Sequence, residues 1–426
     1  MLHALQHATP CAKLSLHVTR WRRVHGVEQG SARGNQMKKF LAASLSVFAL
    51  VGVATTMLGP MLPILAAQWK LTDRQLGALF VAQFCGGFAG AIASTALIRR
   101  TSTHFTVRVG LLLTAAGVAC VPWPSGWAVG GGIALYGVGI GLATPSISIG
   151  VCEVFRAQPA RALNLLNFCW AIGAILAPGM ILRLALHSSL GLRGTLLAAS
   201  AILVAASWVI PAISATGPRG TTATHFNARD LRLIIPAGLL IFAYVGVENG
   251  VAGWLPSFVQ RMHGFSQEKS ALLQGSFWTA LLLGRFLTAL LIRHGTEHRF
   301  LKFAILMVTV GSSVMLFCRG TTWLFVSVIS IGAGCAPIFP TTIAVLSQQF
   351  SEESLEKLGW MFAAGGLGGA VLPFFIGALS HATASLRTGM CILLVSELGM
   401  LAMHAVMQHC SRSQASKEEP VEEFVR

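Results

Sequence analysis

The chain has 426 residues, of which 54% are hydrophobic and only 11% charged, with 45 glycines and a formal net charge of +16. Soluble domains carry about 25% charged residues, so this composition excludes an ordinary soluble protein and suits a polytopic helical membrane protein, whose small residues let helices pack closely. The basic residues fall in short clusters between apolar runs, the pattern of cytoplasmic loops, which sets aside a nucleic-acid partner.

In chain order, residues 1–36 are polar and basic and lack the apolar centre of a signal peptide. They read as an N-terminal extension, either an addition upstream of a natural start at Met37-Lys-Lys-Phe-Leu or a disordered arm. Runs long enough to cross about 30 Å of hydrocarbon at about 20 residues each follow at 41–66, 75–98, 105–122, 127–150, 162–182 and 194–214. Six more lie at 233–259, 270–292, 300–318, 322–348, 358–380 and 388–408. The spacing therefore predicts an all-α membrane protein with twelve transmembrane helices. One six-helix bundle spans 37–214 and a second 232–410, with a polar cytoplasmic linker at 215–231 and a charged, disordered tail at 411–426.

With both termini placed in the cytoplasm, the outside loops hold only Lys70, Arg74, Arg183, Arg193, Arg261, Lys269, Arg319 and Arg387 of the 31 Lys and Arg residues. That asymmetry satisfies the positive-inside rule and predicts a bacterial-type inner membrane with both termini inside. The halves also match each other. Leu97-Ile-Arg-Arg100 and Leu291-Ile-Arg-His294 lie 194 residues apart, and Gly173–Pro178 and Gly368–Pro373 lie 195 apart. Near the first span of each half, Gly52-Val53 and Leu62-Pro63 echo Gly246-Val247 and Leu255-Pro256. A spacing kept across six spans reads as a parallel duplication, a transporter signature.

The nine cysteines show no CxxC spacing and read as small apolar fillers, not metal ligands. Gly137-Val-Gly-Ile-Gly141 imitates part of a dinucleotide fingerprint but follows no strand, so it reads as packing glycine. With no catalytic triad, Walker sequence or metal cluster legible, the expectation is no enzyme, no cofactor and no metal.

The stretch Tyr244-Val-Gly-Val-Glu-Asn-Gly-Val-Ala-Gly-Trp-Leu-Pro256 places Glu248 and Asn249 at membrane depth. An intramembrane carboxyl is expensive and reads first as a functional site. Glu248 is expected to couple protons or bind substrate; the alternative is a structural acid satisfied by a neighbouring helix. Asn249, about 100° further round the helix, binds substrate or orients Glu248. Asn164, Asn167 and Trp170 are spaced three apart and share one face, where two amides and an indole suit hydroxyls and a sugar ring. Gln83, Gln274, Trp278 and Trp254 complete the substrate-binding candidates; Trp254 also fits an aromatic belt at the interface. Arg285 lies within a span and is read as structural or gating, with Glu397, an anionic substrate or the cytoplasmic face as its options. Arg99, Arg100 and Arg293 are expected to order the cytoplasmic face.

These residues resemble the major facilitator superfamily over about 37–410. Gly59-Pro60-Met-Leu-Pro63 and the basic loop from Arg99-Arg100 to Arg108 are similar to its first helix and its loop between helices 2 and 3; Ser94 to Arg100 keeps the bases of that loop's motif but lacks its Asp. The helix-7 stretch above, and Arg161-Ala-Leu-Asn164-Leu-Leu-Asn167-Phe-Cys-Trp170, resemble the fucose–hexose–proton symporter branch. The resemblance implies a monomeric secondary transporter in the lipid bilayer, working by alternating access on a sugar-like small molecule with protons as coupling ion. One departure bears on that scheme. The branch carries acids in helices 1 and 4, where this chain has Thr55 and Thr56, and Gly141-Leu-Ala-Thr-Pro-Ser-Ile-Ser148. A proton-driven exporter of drugs or metabolites is the alternative, followed by a transport-dead sensor.

Overall fold

A computed structural model of the chain describes residues 36–123, 125–155, 159–210, 228–292, 295–347 and 359–418. The expected extension up to residue 35, most of the linker, Arg293 and the last residues of the tail lie outside the described residues. Within them all regular structure is helical.

The first span is α1 (Gln36–Thr56), continued past a turn at Met57 by α2 (Leu58–Trp69). Then come α3 (Asp73–Arg100), α4 (Thr103–Cys120), α5 (Gly126–Val154), α6 (Pro159–His187) and α7 (Gly191–Val209). The second half holds α8 (Ala228–His263), α9 (Gln267–Leu291), α10 (Glu297–Phe317), α11 (Thr321–Ser347), α12 (Gly359–Thr383), the short α13 (Leu386–Met390) and α14 (Ile392–Glu418). Among the described residues, eleven helices are long and apolar enough to cross a membrane. The twelfth span is α9, as long as the others but carrying Gln274 and Arg285, which lower its hydropathy. The helix α14 runs on to Glu418, past the expected start of the tail at 411.

Turn chemistry sets where the helices start. Thr72 caps α3 with a full capping box to Gln75, after Lys70 has ended α2 in the left-handed region. Gly264, at φ +63, turns the chain between α8 and α9, and Ser266 caps the latter. These tight connections hold Asp73 in the first turn of α3.

Without a hydrophobic driving force between helices in lipid, close backbone approach carries the packing. Gly86 and Gly90 of α3 press on the carbonyls of Ala134 and Val138, while Gly137 and Gly141 of α5 press back on those of Gln83 and Gly87. The run that imitates a nucleotide motif is thus a helix-packing surface. The duplication recurs in three dimensions as well. Gly173 of α6 abuts the Ala49 carbonyl of α1, and its counterpart Gly368 of α12 abuts the Phe242 carbonyl of α8.

The two six-helix bundles meet along α3 and α12, α6 and α9, and α2 and α8. The α3–α12 seam is closed at one end and parted at the other. Gly377 packs on Asp73, Gly77 on Phe374 and Gly369 on Phe84. One and two turns further along the same face of α3, Phe88 and Ile92 are 50% and 61% exposed, and Phe362, two turns from Gly369 on α12, is 65% exposed. The bundles diverge from mid-membrane onward. At the closed end Arg261 of α8 makes a bidentate pair with Asp73, at 2.7 and 2.8 Å, and the Ser380 hydroxyl of α12 donates to the same carboxylate at 2.6 Å. His187 of α6 meets Glu268 of α9 at 2.8 Å.

Candidate functional site

At the inner limit of the closed half lies a small recess of about 20 Å³ between the bundles. Thr55, Thr56, Phe80 and Gln83 form one wall, and Asn249, Gly253 and Trp278 the other. Both threonine hydroxyls are spent on their own helix, donating to the Val51 and Gly52 carbonyls. Gln83 uses its amide nitrogen to reach the Thr55 carbonyl at 3.0 Å, which leaves its Oε1 buried without a partner. The Trp278 Nε1 is likewise buried and unpaired. Buried polar groups are normally satisfied, and the exceptions call for a reason. Here an unpaired acceptor and an unpaired donor border one recess large enough for a water-sized group, which needs about 10–15 Å³. A single hydroxyl, both donor and acceptor, has the size and the chemistry to fill it.

Trp278 also receives Trp170 across the gap, edge to face, with centroids 5.7 Å apart. Asn167 lies one turn along α6 on that same face, and both it and Asn164 are exposed. Trp170 thus meets α9 directly, and Asn164 and Asn167 continue the same face of α6.

Asn249 and Glu248 part company as their spacing requires. The Asn249 amide donates to the Val245 carbonyl at 2.9 Å while its side chain lines the recess. Glu248 is 8% exposed and turns into the second bundle. One turn away on its helix, the Tyr244 hydroxyl sits near both the Glu248 carboxyl and the Arg285 guanidinium, in no well-aligned hydrogen bond to either. Arg285 lies within Coulombic range of Glu248 without a direct salt bridge. It stands two turns from Trp278 on the same face of α9, about 10 Å further toward the open end. The chain thus presents an amphipathic surface, with Trp170, Trp278 and the unpaired Gln83 acceptor at its head and a balanced Glu248–Arg285 pair below.

The remaining candidates fall elsewhere. Gln274 is buried, its amide nitrogen 2.5 Å from the Ala252 carbonyl and close to Gly59, a packing position at the α2–α8 seam. Trp254 is neither a platform nor part of an interfacial belt: it is fully buried and donates from Nε1 to the Pro373 carbonyl at 3.0 Å. Glu397, one option for Arg285, accepts instead from the Ser312 hydroxyl at 2.6 Å. Arg99 and Arg100 are exposed in the last turn of α3 at the open end. Sequence reasoning missed the Asp73–Arg261–Ser380 cluster. Asp73 and Arg261 are 188 residues apart and each reads as a loop charge, so no local signal joins them.

Comparison with known proteins agrees with this fold. The chain is 23% identical over 367 residues to the 2-nitroimidazole transporter of Escherichia coli strain K12, covering 83% of this chain and 91% of that protein. It is 22% identical over 367 residues to sodium-dependent glucose transporter 1 of Xenopus laevis, covering 77% and 73%. The crystal structure of the E. coli fucose–proton symporter superposes with a TM-score of 0.57 at 20% identity, over 87% of this chain and 98% of that one. The profile of the Major Facilitator Superfamily matches residues 45–353, and the chain belongs to that superfamily of multi-pass membrane transporters.

Proposed function

We propose that the chain is a secondary active transporter of a sugar-like polyol, working as a monomer by alternating access, with protons as the coupling ion. The observation that carries the solute class is the recess, where the unpaired Gln83 acceptor and Trp278 donor frame space for one hydroxyl. Below it, the half-buried Trp170 offers a face to a pyranose ring, and Asn249, Asn167 and the Glu248–Arg285 pair offer polar partners. The relative described as a sodium-dependent glucose transporter supports a sugar.

The clasped end carries the basic-poor loops, so the positive-inside rule makes it the extracytoplasmic face. On that assignment the bundles part toward the cytoplasm and the structure is inward-facing. Both termini then lie inside a bacterial-type inner membrane, and the units 37–214 and 232–410 rock about the recess.

Uptake of labelled sugars into proteoliposomes, with and without an imposed pH gradient, tests the reading. Accumulation of at least one sugar, abolished by Glu248→Gln, is expected. A second reading, efflux of amphiphiles, draws on the groove of about 890 Å³ between α6 and α9, lined by Ile175, Leu182, Leu272 and Leu283. Proton-driven efflux of amphiphiles with no sugar accumulation would establish it and remove the first.

A further inference from the structure

The second bundle holds another carboxyl that the recess does not use. Glu397 of α14 is fully buried. Its Oε1 accepts from Ser312 of α10 at 2.6 Å, and its Oε2 is buried without a hydrogen-bond partner. Among the described residues no ion pair reaches it. Glu248, by contrast, shares its surroundings with Arg285.

The two carboxyls flank α11, where the buried Cys335 lies within Coulombic range of both. The helices packed on α14 bring few other ionisable groups to this core. From α8 come Tyr244 and Glu248, and from α10 the neutral Ser312, with Lys302, His298 and the buried Glu297 about three to four turns away. The charged and titratable groups of α12 and α13, His381 and Arg387, are exposed at the closed end. On α14 itself, His404 follows Glu397 by two turns on the same face and meets His298 with ring centroids 5.5 Å apart, toward the open end.

An ionised carboxylate with no countercharge in a low-dielectric core costs several kcal/mol, whereas one balanced by a guanidinium is compensated. We infer that Glu397, whose Oε2 is left without a partner or a countercharge, is the proton-carrying group of this bundle, and that Glu248, beside Arg285, serves the solute. One proton adds to Glu397 Oε2 and removes one negative charge; no other bond changes. The His298–His404 pair lies on the side to which the proton is released.

The coupling role rests on the transporter reading above, but the proton site is measured without any solute. Infrared spectra of the full-length protein in lipid, recorded from mildly acidic to alkaline pH in light and heavy water, report the carbonyl stretch of protonated carboxyls. A band present at neutral pH, lost in Glu397→Gln, shifted in Glu397→Asp and retained in Glu248→Gln is expected. Loss of that band in Glu248→Gln with retention in the Glu397 variants overturns the inference, and so does its absence from the parent protein. In the proteoliposome assay, Glu397→Gln should lose stimulation by the pH gradient while keeping sugar counterflow. If every sugar fails there, the substrate reading falls and the infrared result still decides the proton site.

Discussion

Trp278 and Gln83 show how a binding position is built from what a residue leaves undone. Each is nearly inaccessible, and each has one polar atom unpaired beside the recess. A site that hydrogen-bonds a substrate hydroxyl rejects analogues lacking it, because its own groups are then stranded. Trp278→Phe keeps the ring against Trp170 and deletes the donor, so it should raise the KM for the transported sugar by about 5–150-fold, the equivalent of about 1–3 kcal/mol. Gln83→Leu should do the same at the acceptor. Measuring both against the matching deoxy-sugar checks the assignment, since the variants should no longer distinguish it from the parent sugar. The unpaired atoms themselves were invisible beforehand: Gln83 and Trp278 were legible as candidates from residue type and membrane depth, but pairing is a property of neighbours 28 and more residues away.

At the scale of the helix, glycine is where the two halves repeat the same contact. Gly173 on α6 and Gly368 on α12 each face a backbone carbonyl of the first helix of their own bundle. A methyl group at either has nowhere to go, because a carbonyl on a packed helix does not yield as a flexible side chain does. Gly173→Ala and Gly368→Ala should each cost about 1–3 kcal/mol and lower the Tm in detergent. Gly179→Ala and Gly366→Ala, with open space around the added carbon, should be neutral or stabilising by up to about 1 kcal/mol, since alanine favours a helix. Equal effects at all four positions would argue against the repeated contact. Most of this level was readable, because hydropathy, proline and glycine spacing are local. Helix ends were less so: α14 extends to Glu418 because its polar last turns still close backbone hydrogen bonds.

For the whole molecule, the Asp73 cluster decides which face is shut. Its carboxylate takes two bonds from Arg261 and one from Ser380, tying α3 of one bundle to α8 and α12 of the other. Charge-assisted, bidentate geometry makes this stronger than an ordinary surface pair, although the Arg261 side chain is 37% exposed and partly screened. Asp73→Asn should weaken the closed state by about 1–3 kcal/mol, shifting the equilibrium about 5–150-fold toward opening at that end. Spin labels on the α6–α7 and α8–α9 turns, in a cysteine-free background, should then report a longer distance. Unchanged distances would mean that the glycine seam alone keeps the end shut.

The sequence by itself determined the medium, the helix count, the duplication and the superfamily, because each follows from composition or from a period along the chain. It also singled out Glu248, Asn249, Trp170 and Trp278, since polar and aromatic groups in hydrocarbon announce themselves. Only the tertiary structure decided which of them meet. Arg285 stands by Glu248 and leaves Glu397 to Ser312, Trp254 turns into the core, and Asn249 parts from Glu248 to face the other bundle. The physical reason is rotational: a helix's hydropathy fixes its depth in the membrane, but its facing is set by packing against partners that lie as far as hundreds of residues away.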